Sequence, residues 1–269
     1  MGAMSIEPIT RKSLGQHWLN DETTLKYISQ LAKLEANDTV LEIGPGTGSL
    51  TKIILESGAK VIALELDETL VSLLRSSLVD SSNLEIEFGD IRRYNLTKLP
   101  ASYKIVANIP YYLTANLLRI LIDTTNKPKT TVLLVQKEVA QRVAAVPGDM
   151  SFISLAVQLY YQVSLGPVVP AKLFTPPPKI DSQVLILNRL DKHIFTSLEA
   201  GQFLRVCKGG FAQPRKTLAN NLSGSLQIDK STTEQVINSS GLAANVRAQE
   251  LDPAEWYKLY QILLPKLPT

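Results

Sequence analysis

The sequence holds a single cysteine, Cys207. One cysteine cannot close a disulfide within the chain, and its scarcity fits a reducing compartment, so a cytoplasmic protein is expected. No apolar run approaches the ~20 residues that span a bilayer, which argues against a membrane protein. Arg11 and Lys12 stand near the start, but no apolar stretch follows them to make a secretory signal. Met1-Gly2-Ala3-Met4 reads as a cloning remnant before a second start. There are only two histidines, His17 and His193. His193 has no recognisable partner and is expected at the surface, and no metal is expected. The net charge of +3 is too mild to declare a nucleic-acid surface, so any such contact must rest on local clusters. Repeats and low-complexity tracts are absent.

What remains is an ordinary globular composition, 45% hydrophobic and 20% charged. The 269 residues allow one large domain, or a domain of ~190 residues with a small companion. Short, β-branched apolar runs occur at 39–43, 61–66, 84–88, 103–107 and 130–135. Their near-continuous hydrophobicity predicts strands buried on both faces. Helix-length segments lie between them, at 50–56, 68–78, 114–122 and 137–145. This alternation predicts a doubly wound, mostly parallel α/β sheet. Two further runs, 160–165 and 183–190, are separated by a proline-rich loop, residues 166–179, with no long helix. They predict an antiparallel pair at the sheet edge, an ending foreign to dinucleotide-binding dehydrogenases. Helical periodicity follows at 197–207, 217–222, 232–239 and 253–263. The last of these opens on Asp252-Pro253, a strong helix start. The predicted organisation is therefore an α/β domain over 5–190 and a small all-helical domain over 191–269.

Glu42-Ile43-Gly44-Pro45-Gly46-Thr47-Gly48 joins the first of these strands to a helix. Glycine lets backbone turn tightly and approach a ligand, and the helix start offers free N–H groups. A dinucleotide loop would put its third glycine at position 49, where Ser49 stands. The spacing resembles instead the methyltransferase loop that meets the amino-acid end of S-adenosylmethionine. A plain strand–helix turn is the alternative. Glu65 ends the second strand, 21 residues after Gly44, where a carboxylate can accept from two ribose hydroxyls. Asp90 follows the third, where it can accept from an adenine amino group.

Asn108-Ile109-Pro110-Tyr111 follows the fourth strand. Adenine N6 is a poor nucleophile because its lone pair is delocalised into the ring. Two acceptors that bind its two hydrogens favour a pyramidal nitrogen with its lone pair aimed at a sulfonium methyl. The Asn108 side-chain oxygen and a backbone carbonyl, that of Ile109, can form this pair. Pro110 stiffens the turn, and Tyr111 offers a flat face on which a base can stack. No strong general base is required, since the nitrogen turns acidic only after alkylation.

These residues belong to a wider pattern. The chain resembles the small-subunit rRNA adenine N6,N6-dimethyltransferases, the kasugamycin-sensitivity methyltransferases of bacteria, along nearly its whole length. The match runs through Gly15 to Asp21, Glu42 to Gly48, Glu65, Gly89-Asp90, Asn108 to Tyr112, Phe174 to Ser182, Arg215 to Leu218, Asn220 to Leu222 and Arg247 to Leu251. The resemblance implies a Rossmann-like class I methyltransferase sheet with a C-terminal helical domain that binds rRNA. It implies dimethylation of two adjacent adenines in a hairpin near the 3′ end of 16S rRNA, with S-adenosylmethionine as donor, during assembly of the small subunit. It places His17, Leu19, Gly44, Glu65, Asp90 and Asn108 at the cofactor, and Tyr111 and Phe174 beside the target adenine. His17 and Trp18 stand where the family often has Asn and Phe. Lys172 and Lys179 flank the proline-rich loop, while Lys208, Arg215 and Lys216 gather early in the helical domain. These could bind phosphates of 16S rRNA in immature small subunits without reading bases, or be ordinary surface charge. A monomer is expected. The large-subunit adenine methyltransferases of macrolide resistance, a non-catalytic assembly factor and a nicotinamide-dependent dehydrogenase remain alternatives.

Overall fold

The computed structural model describes residues 17–195 and 199–267. Met1 to Met4, Arg11, Lys12, Gly15 and Gln16 lie outside the described residues, as does the beginning of the helix expected from 197.

The chain opens with a two-residue strand, β1 (Trp18–Leu19), and an amphipathic helix, α1 (Glu22–Leu31), which Asp21 caps by accepting from the Thr24 N–H. Next come β2 (Thr39–Ile43), α2 (Ser49–Leu55), β3 (Lys60–Glu65), α3 (Glu68–Ser77), β4 (Leu84–Phe88), β5 (Lys104–Asn108), α4 (Thr114–Asp123) and β6 (Thr130–Gln136). The run closes with α5 (Lys137–Val143), α6 (Phe152–Gln158), β7 (Tyr161–Val169), β8 (Phe174–Thr175) and β9 (Ser182–Arg189). Seven strands make one sheet in the order β4-β3-β2-β5-β6-β9-β7. β2, β3, β4, β5 and β6 pair in parallel, and β9 runs antiparallel to β6. The interior of β2, β3, β5 and β6 is buried, as their unbroken apolar runs require, whereas β4 at one edge is only half-buried.

The chain winds outward from β2 through β3 to β4, then returns to the other side of β2 as β5. β2 and β5 thus flank a topological switch point, where a crevice opens beyond the carboxyl ends of the strands. A second, two-stranded ribbon pairs β1 with β8, Leu19 opposite Phe174 and Trp18 opposite Thr175.

Cα proximity divides the chain into two compact units: residues 1–140 with 164–189, and residues 141–163 with 190–269. The single boundary expected near 190 therefore differs from the observed division over 141–163. The reason lies within the second unit. The Gly148 and Met150 N–H groups donate to the Gln249 carbonyl at 2.8 and 3.3 Å, and α6 packs on α7 (Ala200–Gly210). The unit continues with α8 (Leu218–Leu226), α9 (Lys230–Ser239) and α10 (Pro253–Leu263). Asn221, buried, donates to the carbonyls of Gly210 and Gln213 at 2.7 and 3.0 Å, pinning the turn that exposes Arg215 and Lys216. His193 is exposed, but not partnerless: it stacks on Phe195 and meets Tyr160 edge-on. Among the described residues no helix is long and apolar enough to cross a membrane.

Candidate active site

Beyond the tips of β2, β3, β4 and β5 lies a cleft of about 1100 Å³, its open mouth included. His17, Leu19, Gly44, Glu65, Asp90, Asn108, Tyr111 and Phe174 all line it.

The floor is the turn between β2 and α2. Gly44, Gly46 and Gly48 each have positive φ, at 68°, 60° and 82°, which explains glycine at three alternate positions. Gly48 caps α2 in the left-handed conformation, and a Cβ there would meet Leu74 at 2.8 Å. Gly46 lies under the Trp18 indole, 3.3 Å from where a Cβ would stand, so the β1–β8 ribbon roofs the loop.

Glu65 is buried at the end of β3. Its Oε1 accepts from the N–H groups of Leu66 and Asp67 at 2.8 and 2.9 Å, and its Oε2 from Gly46 N–H at 3.2 Å. A carboxylate has about four acceptor positions. Three are used here, and the long Gly46 bond is the weakest, so Oε2 is the oxygen available to hydroxyls of a ligand. Burial pushes the Glu65 pKa up, while the three backbone donors oppose that shift. Leu66 beside it is an exposed apolar face on the cleft wall.

Asp90 does not stand free, as its sequence position suggested. Arg92 grips both carboxylate oxygens, with Nε 3.0 and 2.8 Å from Oδ1 and Oδ2, and Nη2 2.6 Å from Oδ2. The guanidinium holds the Asp90 carboxyl below the usual carboxylate range.

Asn108 ends β5. Its Nδ2 donates to the His17 carbonyl at 3.4 Å, which leaves Oδ1 as an acceptor. The Tyr111 hydroxyl meets Ser182 Oγ at 2.7 Å, so the base of β9 fixes the ring. The His17 imidazole lies 5.8 Å from the Tyr111 ring, stacked at 26°, and its Nδ1 lies 2.7 Å from the Pro176 carbonyl. His17 thus braces Asn108 and Tyr111 while lining the cleft. Phe174, 3% exposed, packs in the core with Leu19 and Val184 and also lines the cleft.

Three residues to which the sequence assigns no role also contribute. Ser182 gave no signal of its own. Arg92 could have been noticed as a cation two residues after a candidate acceptor. Glu42 was the most visible: an acid in the middle of an apolar strand. It is 1% exposed, lines the cleft, and its Oε2 has no hydrogen-bond partner in the protein. Burial lifts its pKa to about 8. An orphaned carboxyl oxygen next to a glycine loop fits a ligand with a cationic amino group. In the empty protein the site has a pH signature. Folded Glu42 keeps a proton that the unfolded chain releases near 4.5, so its contribution to stability falls as pH rises from 4.5 through about 8. Glu42→Gln removes this dependence. Denaturation midpoints should show the variant gaining on the wild type between pH 5 and pH 8, by on the order of a few kcal/mol. A constant difference across that range would contradict the assignment.

Residues 9–264 match the family described as ribosomal RNA adenine dimethylase. A curated relative from Dehalococcoides mccartyi (strain CBDB1), named ribosomal RNA small subunit methyltransferase A, is 37% identical over 252 residues, covering 93% of this chain and 87% of its own. A dimethyladenosine transferase structure from Plasmodium falciparum is 27% identical with a TM-score of 0.82, covering 93% and 98% of the two chains. The 23S rRNA methyltransferase ErmE, 22% identical with a TM-score of 0.75 over 91% and 99%, shares the fold.

Proposed function

Since the chain belongs to the ribosomal RNA adenine dimethylase family, we propose that it dimethylates N6 of two adjacent adenines in a hairpin near the 3′ end of 16S rRNA, acting as a cytoplasmic monomer on immature small subunits. The observation that carries this reading is the placement of Asn108 and Tyr111 at the tip of β5, in the same cleft as Glu65 and the glycine loop.

The cleft suits S-adenosylmethionine, which when bound supplies an electrophilic methyl on a cationic sulfur. Glu42 faces its amino-acid end, Glu65 Oε2 takes its ribose hydroxyls, and Asp90 takes its adenine amino group. Tyr111 and Phe174 flank the target adenine, which must be flipped or splayed for N6 to be reached. Asn108 Oδ1 and the Ile109 carbonyl accept the two N6 hydrogens and turn the nitrogen lone pair toward the methyl. Catalysis then comes from in-line positioning rather than from a base, and the acidified nitrogen gives its proton to water after transfer. After one transfer a hydrogen remains on N6, so a pocket with room for one methyl can repeat the step. In the second unit Lys208, Arg215 and Lys216, all exposed, hold phosphates.

The experiment is tritiated-methyl transfer to immature small subunits, with large-subunit RNA in parallel, followed by nucleoside analysis. The expected result is N6,N6-dimethyladenosine in the small-subunit RNA. Label confined to large-subunit RNA, or no label at all, would overturn the proposal.

A further inference from the structure

The Asp90–Arg92 pair has a property that the methyl-transfer scheme leaves unused. Three N–H groups, making four contacts, converge on one carboxylate. Arg92 Nε lies near both oxygens, Arg92 Nη2 is 2.6 Å from Oδ2, and the Arg92 backbone N–H is 2.9 Å from Oδ1. Both carboxylate oxygens are thereby engaged, with about one of four acceptor positions left over. The pair sits on the cleft wall, with the Asp90 side chain 17% and the Arg92 side chain 54% exposed. The Tyr112 ring, half exposed, borders the same mouth, one residue beyond the Tyr111 that faces the target base.

An adenine amino group reaching Asp90 must compete with Arg92, whose guanidinium engages both oxygens. The exposure of Arg92 makes its displacement cheap, because an ion pair in contact with water contributes little. The released guanidinium is then an unpaired cation at the mouth through which the RNA enters, well suited to a backbone phosphate. We propose that Arg92 is a coupling residue: the donor's adenine displaces it from Asp90, and the freed guanidinium binds the RNA backbone, so that donor and RNA each strengthen the other's binding. This rests on the proposed placement of the donor's adenine at Asp90. By linkage the enhancement is equal in both directions.

The test uses the full chain, S-adenosylhomocysteine as the donor-site probe, and immature small subunits. Dissociation constants are measured for wild type, Arg92→Leu, Arg92→Lys and Asp90→Asn, each probe alone and with the other saturating. For Arg92→Leu, S-adenosylhomocysteine alone should bind about 2- to 5-fold tighter than to wild type, since an exposed pair no longer has to open. In the wild type, saturating S-adenosylhomocysteine should tighten subunit binding about 5-fold or more. That gain should vanish in Arg92→Leu and survive in part in Arg92→Lys, which keeps the charge without the fork. Asp90→Asn should weaken the probe. Coupling that persists unchanged in Arg92→Leu, or probe affinity that is equal or weaker there, would overturn the role of Arg92 alone. A wild type that binds no S-adenosylhomocysteine, or an Asp90→Asn that binds it undiminished, would instead overturn the placement beneath it, and the coupling with it.

Discussion

Asn108→Ala is expected to lower methyl transfer by about 100- to 1000-fold, comparable with removing one preorganised hydrogen-bonding group from a transition state, while S-adenosylhomocysteine binds nearly as before. The separation follows from where the side chain sits. Its Nδ2 donates to the His17 carbonyl, so the amide is oriented before any ligand arrives, and the remaining oxygen is free for the target nitrogen of the proposed scheme. Truncation removes an acceptor from N6 without touching Glu65, Glu42 or the glycine loop. Single-turnover rates together with calorimetric titration would check this. Turnover within a few-fold of wild type would remove Asn108 from the catalytic account, and equal loss of binding and turnover would make it a donor contact instead.

Glu65→Gln should be nearly as damaging, but on the other side of the ledger: donor affinity should fall by about 10- to 100-fold, with a lower melting temperature. The carboxylate accepts three backbone N–H groups from Gly46, Leu66 and Asp67. An amide offers one oxygen, and its NH2 end must confront one of those donors. Leaving a buried donor unpaired costs ~1–3 kcal/mol. The Gly46 bond also ties β3 to the glycine loop, so the loss reaches both the ribose contact and the loop beneath it. Titration with S-adenosylhomocysteine and a melting curve test this together. Undiminished affinity would mean that Glu65 is a structural brace and not a ligand contact.

The strands were legible because burial on both faces leaves an unbroken apolar run. β2 was read at 39–43, its observed limits, and β6 differs at its end by one residue. α10 was read with its start intact because Asp252, Pro253 and Glu255 form a capping box with proline at the first position, a signal local to four residues. α6 was not read. Its residues, Phe152–Gln158, are too few and too evenly apolar to show a helical period, and only the Ser151–Ser154 capping box marks its start. The β1–β8 ribbon could not be read at all. It joins residues more than 150 positions apart through two pairs, and no local pattern encodes that pairing. The same holds for the long-range braces of the cleft, His17 on Pro176 and Tyr111 on Ser182. The dehydrogenase alternative fails on the glycine spacing, on the antiparallel β9 and on family membership.

The most direct measurement is a crystal structure of the protein with S-adenosylhomocysteine and a short adenine-bearing RNA. The account predicts the ribose hydroxyls on Glu65 Oε2, the thioether sulfur between the glycine loop and Asn108, and the target N6 within hydrogen-bonding distance of Asn108 Oδ1 and the Ile109 carbonyl. Ligand density away from the tips of β2 to β5, or an Asn108 oxygen turned from the base, would contradict it.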